Sequence, residues 1–131
     1  MKEGDIFEKE YQVTERIYSL FIQAFDDKNP LHVDKAFAAK FKFSDKVMHG
    51  AILNGFLSNF IGECLPQKNV LVQSYKINFS KPVYQEQNLK FCAKITGVYD
   101  SVNSIEFKFT FQNAEDDIVA KGSIGISIIS L

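Results

Sequence analysis

Five residues in the first half of the chain carry most of its chemical capacity. They are Asp27, Asn29 and His32 in "DDKNPLH", and His49 with Gly50 in "VMHGAIL". A carboxylate and an imidazole on one short segment can manage two protons at once. One group takes a proton from water while the other gives a proton to carbon. Pro30 fixes its own φ and stiffens the segment, so the side chains around it are held in place. His49 and Gly50 stand directly before the most apolar helical stretch. A helix start presents N–H groups that bind an anion, or an oxygen gaining negative charge. Gly50 has no side chain to keep a carbonyl away from that backbone. Such a donor suits the enolate-like charge of thioester chemistry. Each feature also has a plainer use: Asp27 as a turn cap, His32 as an ordinary loop histidine, Gly50 as a packing glycine.

The elements that must position these residues change character along the chain. "DIFEKEYQV" alternates loosely and fits a first strand. Thr14 then precedes "ERIYSLFIQAF", where Ile17, Leu20, Phe21 and Ala24 recur at helical spacing, with Thr14 as N-cap and Glu15 beside the positive end of the dipole. Asp34 can cap a short helix, "KAFAAKF". In "GAILNGFLSNFIGECL" the residues Leu53, Phe56, Leu57, Phe60, Ile61 and Cys64 form a stripe too broad for a surface helix, so this helix is expected inside. From Val70 the period becomes two: Tyr75, Ile77 and Phe79; Leu89, Phe91, Ala93 and Ile95; Ile105, Phe107, Phe109 and Phe111; Ile124, Ile126 and Ile128. That pattern describes an antiparallel sheet buried on one face. Helices followed by strands, with one unusually apolar helix, predict an α+β domain spanning residues 1–131, its sheet wrapped on that helix.

Composition narrows the function classes. A net charge of −1 and a single Arg, Arg16, give no footprint for nucleic acid. Thirteen Phe without a Trp suggest a core of rings that carry no polar handle. Cys64 and Cys92 fall in apolar periodic segments and read as small buried hydrophobes with no nearby cation, not as nucleophiles. Histidines seventeen residues apart, without a paired cysteine or H-x-x-x-H, lack metal-ligand spacing, so no metal is expected. The opening "MKEGDIFEKEYQV" places acids where a signal peptide needs an apolar run, and no segment is long and apolar enough for a membrane span. A cytoplasmic protein without membrane association is the expectation.

At "DKNPLH" and the "VDKAFAAKFKFSDKVMHGAIL" that follows, the chain resembles the MaoC-like, (R)-specific enoyl-CoA hydratase family of the hot-dog fold. "VTERIYSLFIQAF" is similar to that family's Thr-capped first helix, and "INFSKPVY" to its strand ending in a polar turn. The resemblance implies a long central helix wrapped by an antiparallel sheet. It implies Asp27 and His32 as the catalytic pair, Asn29 orienting water and loop, the Gly50 N–H on the thioester carbonyl, and His49 shaping the entrance to the helix. The implied reaction is reversible addition of water to a trans-2-enoyl thioester of CoA or acyl carrier protein, giving an (R)-3-hydroxyacyl thioester. No cofactor is implied, and a homodimer is. A hot-dog thioesterase or a non-catalytic acyl-binding domain are the other readings within this fold. Where the family usually has Ser-Gly before the catalytic Asp, this chain has Phe25-Asp26. Losing Gly removes freedom for positive φ, although Asp tolerates the left-handed region better than most residues.

Overall fold

The computed structural model describes residues 1–131. Its elements in chain order are β1 (Ile6–Gln12), α1 (Glu15–Phe25), α2 (Pro30–Val33), α3 (Lys35–Lys40), α4 (Ala51–Asn59), β2 (Val70–Phe79), β3 (Asn88–Tyr99), β4 (Ser104–Gln112) and β5 (Ile118–Ile128). All pairings are antiparallel, in the order β1-β3-β4-β5-β2, so β1 and β2 are the edges. The helix α4 packs on the inner face of this sheet and continues into a wider π-helical turn, Phe60–Cys64. No helix is long and apolar enough to cross a membrane.

Alternation dictates the central strands. Along β4, Ile105, Phe107, Phe109 and Phe111 are buried while the residues between them are not. Leu89, Phe91, Ala93 and Ile95 do the same on β3, directly across from the β4 series. From the other side α4 contributes Leu53, Phe56, Leu57 and Phe60. The rings meet edge to face, as Phe60 and Phe107 do at 5.6 Å and 86°. Burying each such side chain stabilises the fold by roughly 1.5–3 kcal/mol. Phenylalanine brings no donor needing a partner, so these rings pack without any hydrogen-bonding demand of their own.

Caps fix the helices that carry the site. Thr14 accepts from the Ile17 N–H at 3.2 Å, and Asp34 from the Phe37 N–H at 3.1 Å. Asp26 ends α1 with φ 56°, in the left-handed region. The segment before α4 is stapled twice: Val47 N–H donates to the Leu31 carbonyl at 3.1 Å, and Met48 N–H to the Val83 carbonyl at 2.8 Å.

On α1 only Tyr18 is buried, with Ile17 and Phe21 packed partly buried against the core. The stripe Ile17, Leu20, Phe21 and Ala24 lines a groove beside α4. Two expectations are corrected. On β2, Tyr75 and Phe79 are exposed although they alternate like core residues, because β2 is an edge strand paired only with β5. Cys64 and Cys92 are half-buried, and Cys64 does have a cation nearby, the Lys9 ammonium at 3.6 Å.

Candidate active site

Folding stacks the two histidines. The rings of His32 and His49 lie 4.0 Å apart at 29°, joined by helices α2 and α3 and the turn that returns to α4. Asp27, His32 and His49 each bring one oxygen or nitrogen within 4.8 Å of the others. Three side chains separated by up to 22 positions thus form one cluster above the start of α4.

The hydrogen bonds set each group's role. His32 Nδ1 lies 2.7 Å from the Val47 carbonyl. A carbonyl only accepts, so Nδ1 carries the proton and Nε2 keeps its lone pair for the site. Tyr18 donates its hydroxyl to the His32 carbonyl, holding the backbone of α2 as well. His49 is 3 % exposed, and its Nε2 lies 2.9 Å from the Asp27 carbonyl. By the same argument His49 Nε2 carries a proton, and its Nδ1 is buried with no partner. It anchors the peptide of Asp27. Phe21 packs on its ring at 4.7 Å.

Asn29 Oδ1 caps α2 by accepting from the Leu31 N–H at 2.9 Å, with Pro30 at the first helical position. Asp27 Oδ1 accepts from the Asn29 N–H at 3.3 Å. Asp27 is an exposed residue whose carboxylate is held by the Asn29 N–H and whose carbonyl is held by His49.

Gly50 precedes α4, and the N–H groups of Gly50 and Ala51 donate to nothing in the protein. A Cβ on Gly50 would lie 2.9 Å from the Phe79 ring on β2. Close packing and an open donor therefore coincide at this glycine. Around it lies a cavity of about 570 Å³, with His32, His49, Gly50, Phe79 and Lys81 in its wall. Lys81 is paired with Asp117 at 2.9 Å.

Of the five residues singled out in the sequence, Asp27, His32 and His49 form the cluster, Gly50 shares the cavity wall with both histidines, and Asn29 joins only through its N–H to Asp27. The Val47 carbonyl, the Tyr18 hydroxyl and the rings of Phe21 and Phe79 were not anticipated. A backbone acceptor leaves no trace in residue types, and Tyr18 sits in a helix as any aromatic core residue would.

The chain is similar to several known proteins. The MaoC like domain family matches residues 2–116. An (R)-specific enoyl-CoA hydratase of Aeromonas caviae is 36% identical over 64 residues, which is 49% of this chain and about half (48%) of that protein's length. One from Rhodospirillum rubrum is 26% identical over 110 residues, 84% of this chain and 76% of that protein. Among solved structures, the (R)-hydratase of A. caviae involved in PHA biosynthesis superposes with a TM-score of 0.90 at 20% identity over 98% of both chains. That similarity shows the hot-dog fold. Protein af1124 of Archaeoglobus fulgidus superposes with a TM-score of 0.88 at 26% identity, over 98% of this chain and 80% of its own. With most of its length matched by the family and its fold shared throughout, the chain belongs to the MaoC-like domain family.

Proposed function

We propose that the protein is a hydro-lyase that adds water reversibly to trans-2-enoyl thioesters, with Asp27 and His32 as its proton-transfer pair. The observation that carries this is the anchoring of His32 Nδ1 on the Val47 carbonyl, which leaves Nε2 as the free nitrogen of a ring that has one nitrogen within 4.8 Å of an Asp27 carboxylate oxygen. The relatives named as (R)-specific enoyl-CoA hydratases support the same substrate class.

Water sits between Asp27 and His32, oriented by the free amide end of Asn29. His32 Nε2 takes its proton as the oxygen bonds to the β-carbon. The electron pair of the double bond moves onto the thioester, and the resulting oxyanion meets the free N–H groups of Gly50 and Ala51 at the positive end of α4. The α-carbon then takes one proton from the Asp27–His32 pair, which balances the proton removed from water. The product is a 3-hydroxyacyl thioester. His49 positions Asp27 and does not itself touch the reacting atoms.

The outer edge of β2 is unpaired, and Leu71 and Phe79 on it are each 53% exposed. An apolar, ten-residue open edge invites a second copy of the strand, so the working unit is a homodimer joined along β2. Spectrophotometric loss of the enoyl-thioester band on crotonyl-CoA tests the reaction, and sedimentation tests the dimer. Release of free thiol without hydration would assign a thioesterase instead.

A further inference from the structure

The largest cavity is not the one around Gly50. A groove of about 870 Å³ runs between α1 and α4, walled by the very stripe of α1 that the core leaves uncovered: Ile17, Leu20, Phe21 and Phe25 against Ile52 and Phe56. Its volume is that of a site for a medium-sized ligand. One end of it adjoins the catalytic cluster, whose own residues do not line it. Ala51, whose N–H is free, lies in its wall, Phe21 packs on His49, and Phe25 stands two residues before Asp27. Left open to water, this face would be an unusual expense for a small domain, since α1 exposes Leu20 at 46% and Phe25 at 70%.

The other end of the groove is polar, and of one kind. Lys9 Nζ and the Tyr11 hydroxyl both donate to Asn59 Oδ1, each at 2.8 Å. With that oxygen taken, what the end still offers is donors: the remaining ammonium hydrogens of Lys9 and the amide hydrogens of Asn59. Burial, with Cys64 adding to it, pushes the Tyr11 phenol far above its usual range, so it stays a donor. The single ion pair of the protein is Lys81–Asp117, so no carboxylate neutralises Lys9. A donor-rich end with an uncompensated cation suits an anionic acceptor, and a carboxylate makes the strongest such bonds.

The two ends are spaced for one molecule. Nine residues of helix separate Gly50 from Asn59, roughly 13 Å at about 1.5 Å per residue. An extended carbon chain advances about 1.25 Å per bond along a zigzag of roughly 1.5 Å bonds. About ten bonds therefore connect a thioester carbonyl at Gly50 to a group at Lys9. We propose that the α1–α4 groove receives the acyl chain of the substrate, and that its Lys9–Asn59–Tyr11 end selects medium-length chains bearing a terminal carboxylate. The assignment of a thioester to Gly50 rests on the hydratase reading above; the groove's selectivity can be measured apart from it.

The test is calorimetric binding of saturated acyl-CoAs, which cannot be hydrated: decanoyl-CoA, its ω-carboxy counterpart sebacyl-CoA, and butyryl-CoA. Crotonyl-CoA turnover is assayed in parallel, so failure of the hydratase reading appears there and not in the binding. The expected result is sebacyl-CoA binding about tenfold tighter than decanoyl-CoA, with that preference lost in Lys9→Met. Leu20→Trp, which fills the groove, should lower the sebacyl-to-butyryl affinity ratio about tenfold. Equal binding of the matched pair, no binding at all, or a preference that survives Lys9→Met would overturn the proposal. So would a change of sedimentation in Leu20→Trp with an unchanged ligand ratio, which would make the groove an interface between copies.

Discussion

The His49 imidazole donates from Nε2 to the backbone carbonyl of Asp27 at 2.9 Å while stacking on the ring of His32 at 4.0 Å. One buried side chain thereby touches both partners of the proposed proton-transfer pair. His49→Ala removes the anchor while leaving the Asp27 and His32 side chains themselves intact. A misplacement of about an ångström costs on the order of 10²-fold in rate. The variant should lose about that much kcat on crotonyl-CoA with KM less affected, while its thermal unfolding stays cooperative. A kcat within twofold of the parent would show that Asp27 is held by other means.

Asp26 supplies a backbone prediction. Its φ of 56° closes α1, a conformation that glycine adopts without penalty and a β-branched residue resists. Asp26→Gly should be neutral or stabilising by up to about 1 kcal/mol, and Asp26→Val destabilising by about 1–2 kcal/mol. Thermal melts of the two variants measure the sign directly.

Gly122 tests the sheet edge on which the β2 interface depends. A Cβ there would lie 1.7 Å from the Lys76 carbonyl oxygen, inside the β2–β5 pairing. Backbone cannot yield as a flexible side chain does, so Gly122→Ala should cost about 1–3 kcal/mol or more and loosen β2. Hydrogen exchange should show amides of Val70–Phe79 losing protection before those of β3 and β4. Uniform loss across all strands would mean that the sheet accommodates the methyl by shifting as a whole.

The clustering of Asp27, His32 and His49 within 4.8 Å also bears on metals. A cluster of two histidines and a carboxylate resembles the three protein ligands of a catalytic zinc site. In the hydration scheme these groups move protons and hold the loop, and no step needs a cation. Dialysis against EDTA should therefore leave crotonyl-CoA turnover unchanged. Activity lost on chelation and restored by zinc would reassign the three as ligands.

Glu15 gives the pH dependence of stability a definite sign. Hydrogen bonds from Ser19 and then Gln85 hold its carboxyl below the usual glutamate range. A depressed folded pKa contributes stability that is present above the unfolded value and is lost as pH falls through the folded one. Glu15 is fully exposed, so the effect is small; an NMR titration should find its midpoint rising in Gln85→Leu. An unchanged midpoint would assign the shift to Ser19 alone.

The fold was legible where one face of an element meets the core. The Phe107 series on β4 and the Leu53–Ile61 stripe of α4 follow simple periods because burial on one side is all that shapes them. The same reasoning misjudged β2. Its apolar residues have the right spacing, yet Phe79 lies on an edge strand and is exposed, and one chain's periodicity does not distinguish a core from an exposed face. The candidate site was legible in its residue types and not in its geometry. "DKNPLH" and "HG" supply the candidate residues, but the stacking of His49 on His32 depends on the staples from Val47 and Met48 to Leu31 and Val83, which are made entirely by backbone. Lys9 beside Cys64 was invisible for a similar reason, since β1 and the end of α4 meet only in the folded chain.

The most direct test of the central claim is the ultraviolet assay of crotonyl-CoA hydration by the parent protein beside Asp27→Asn and His32→Ala. General acid–base groups contribute on the order of 10²–10⁴-fold each. The account predicts loss of the enoyl-thioester absorbance with the parent and a fall of that size in both variants, each still folded by its melting curve. Hydration that persists at the parent rate in either variant would contradict the assignment of Asp27 and His32 as the proton-transfer pair.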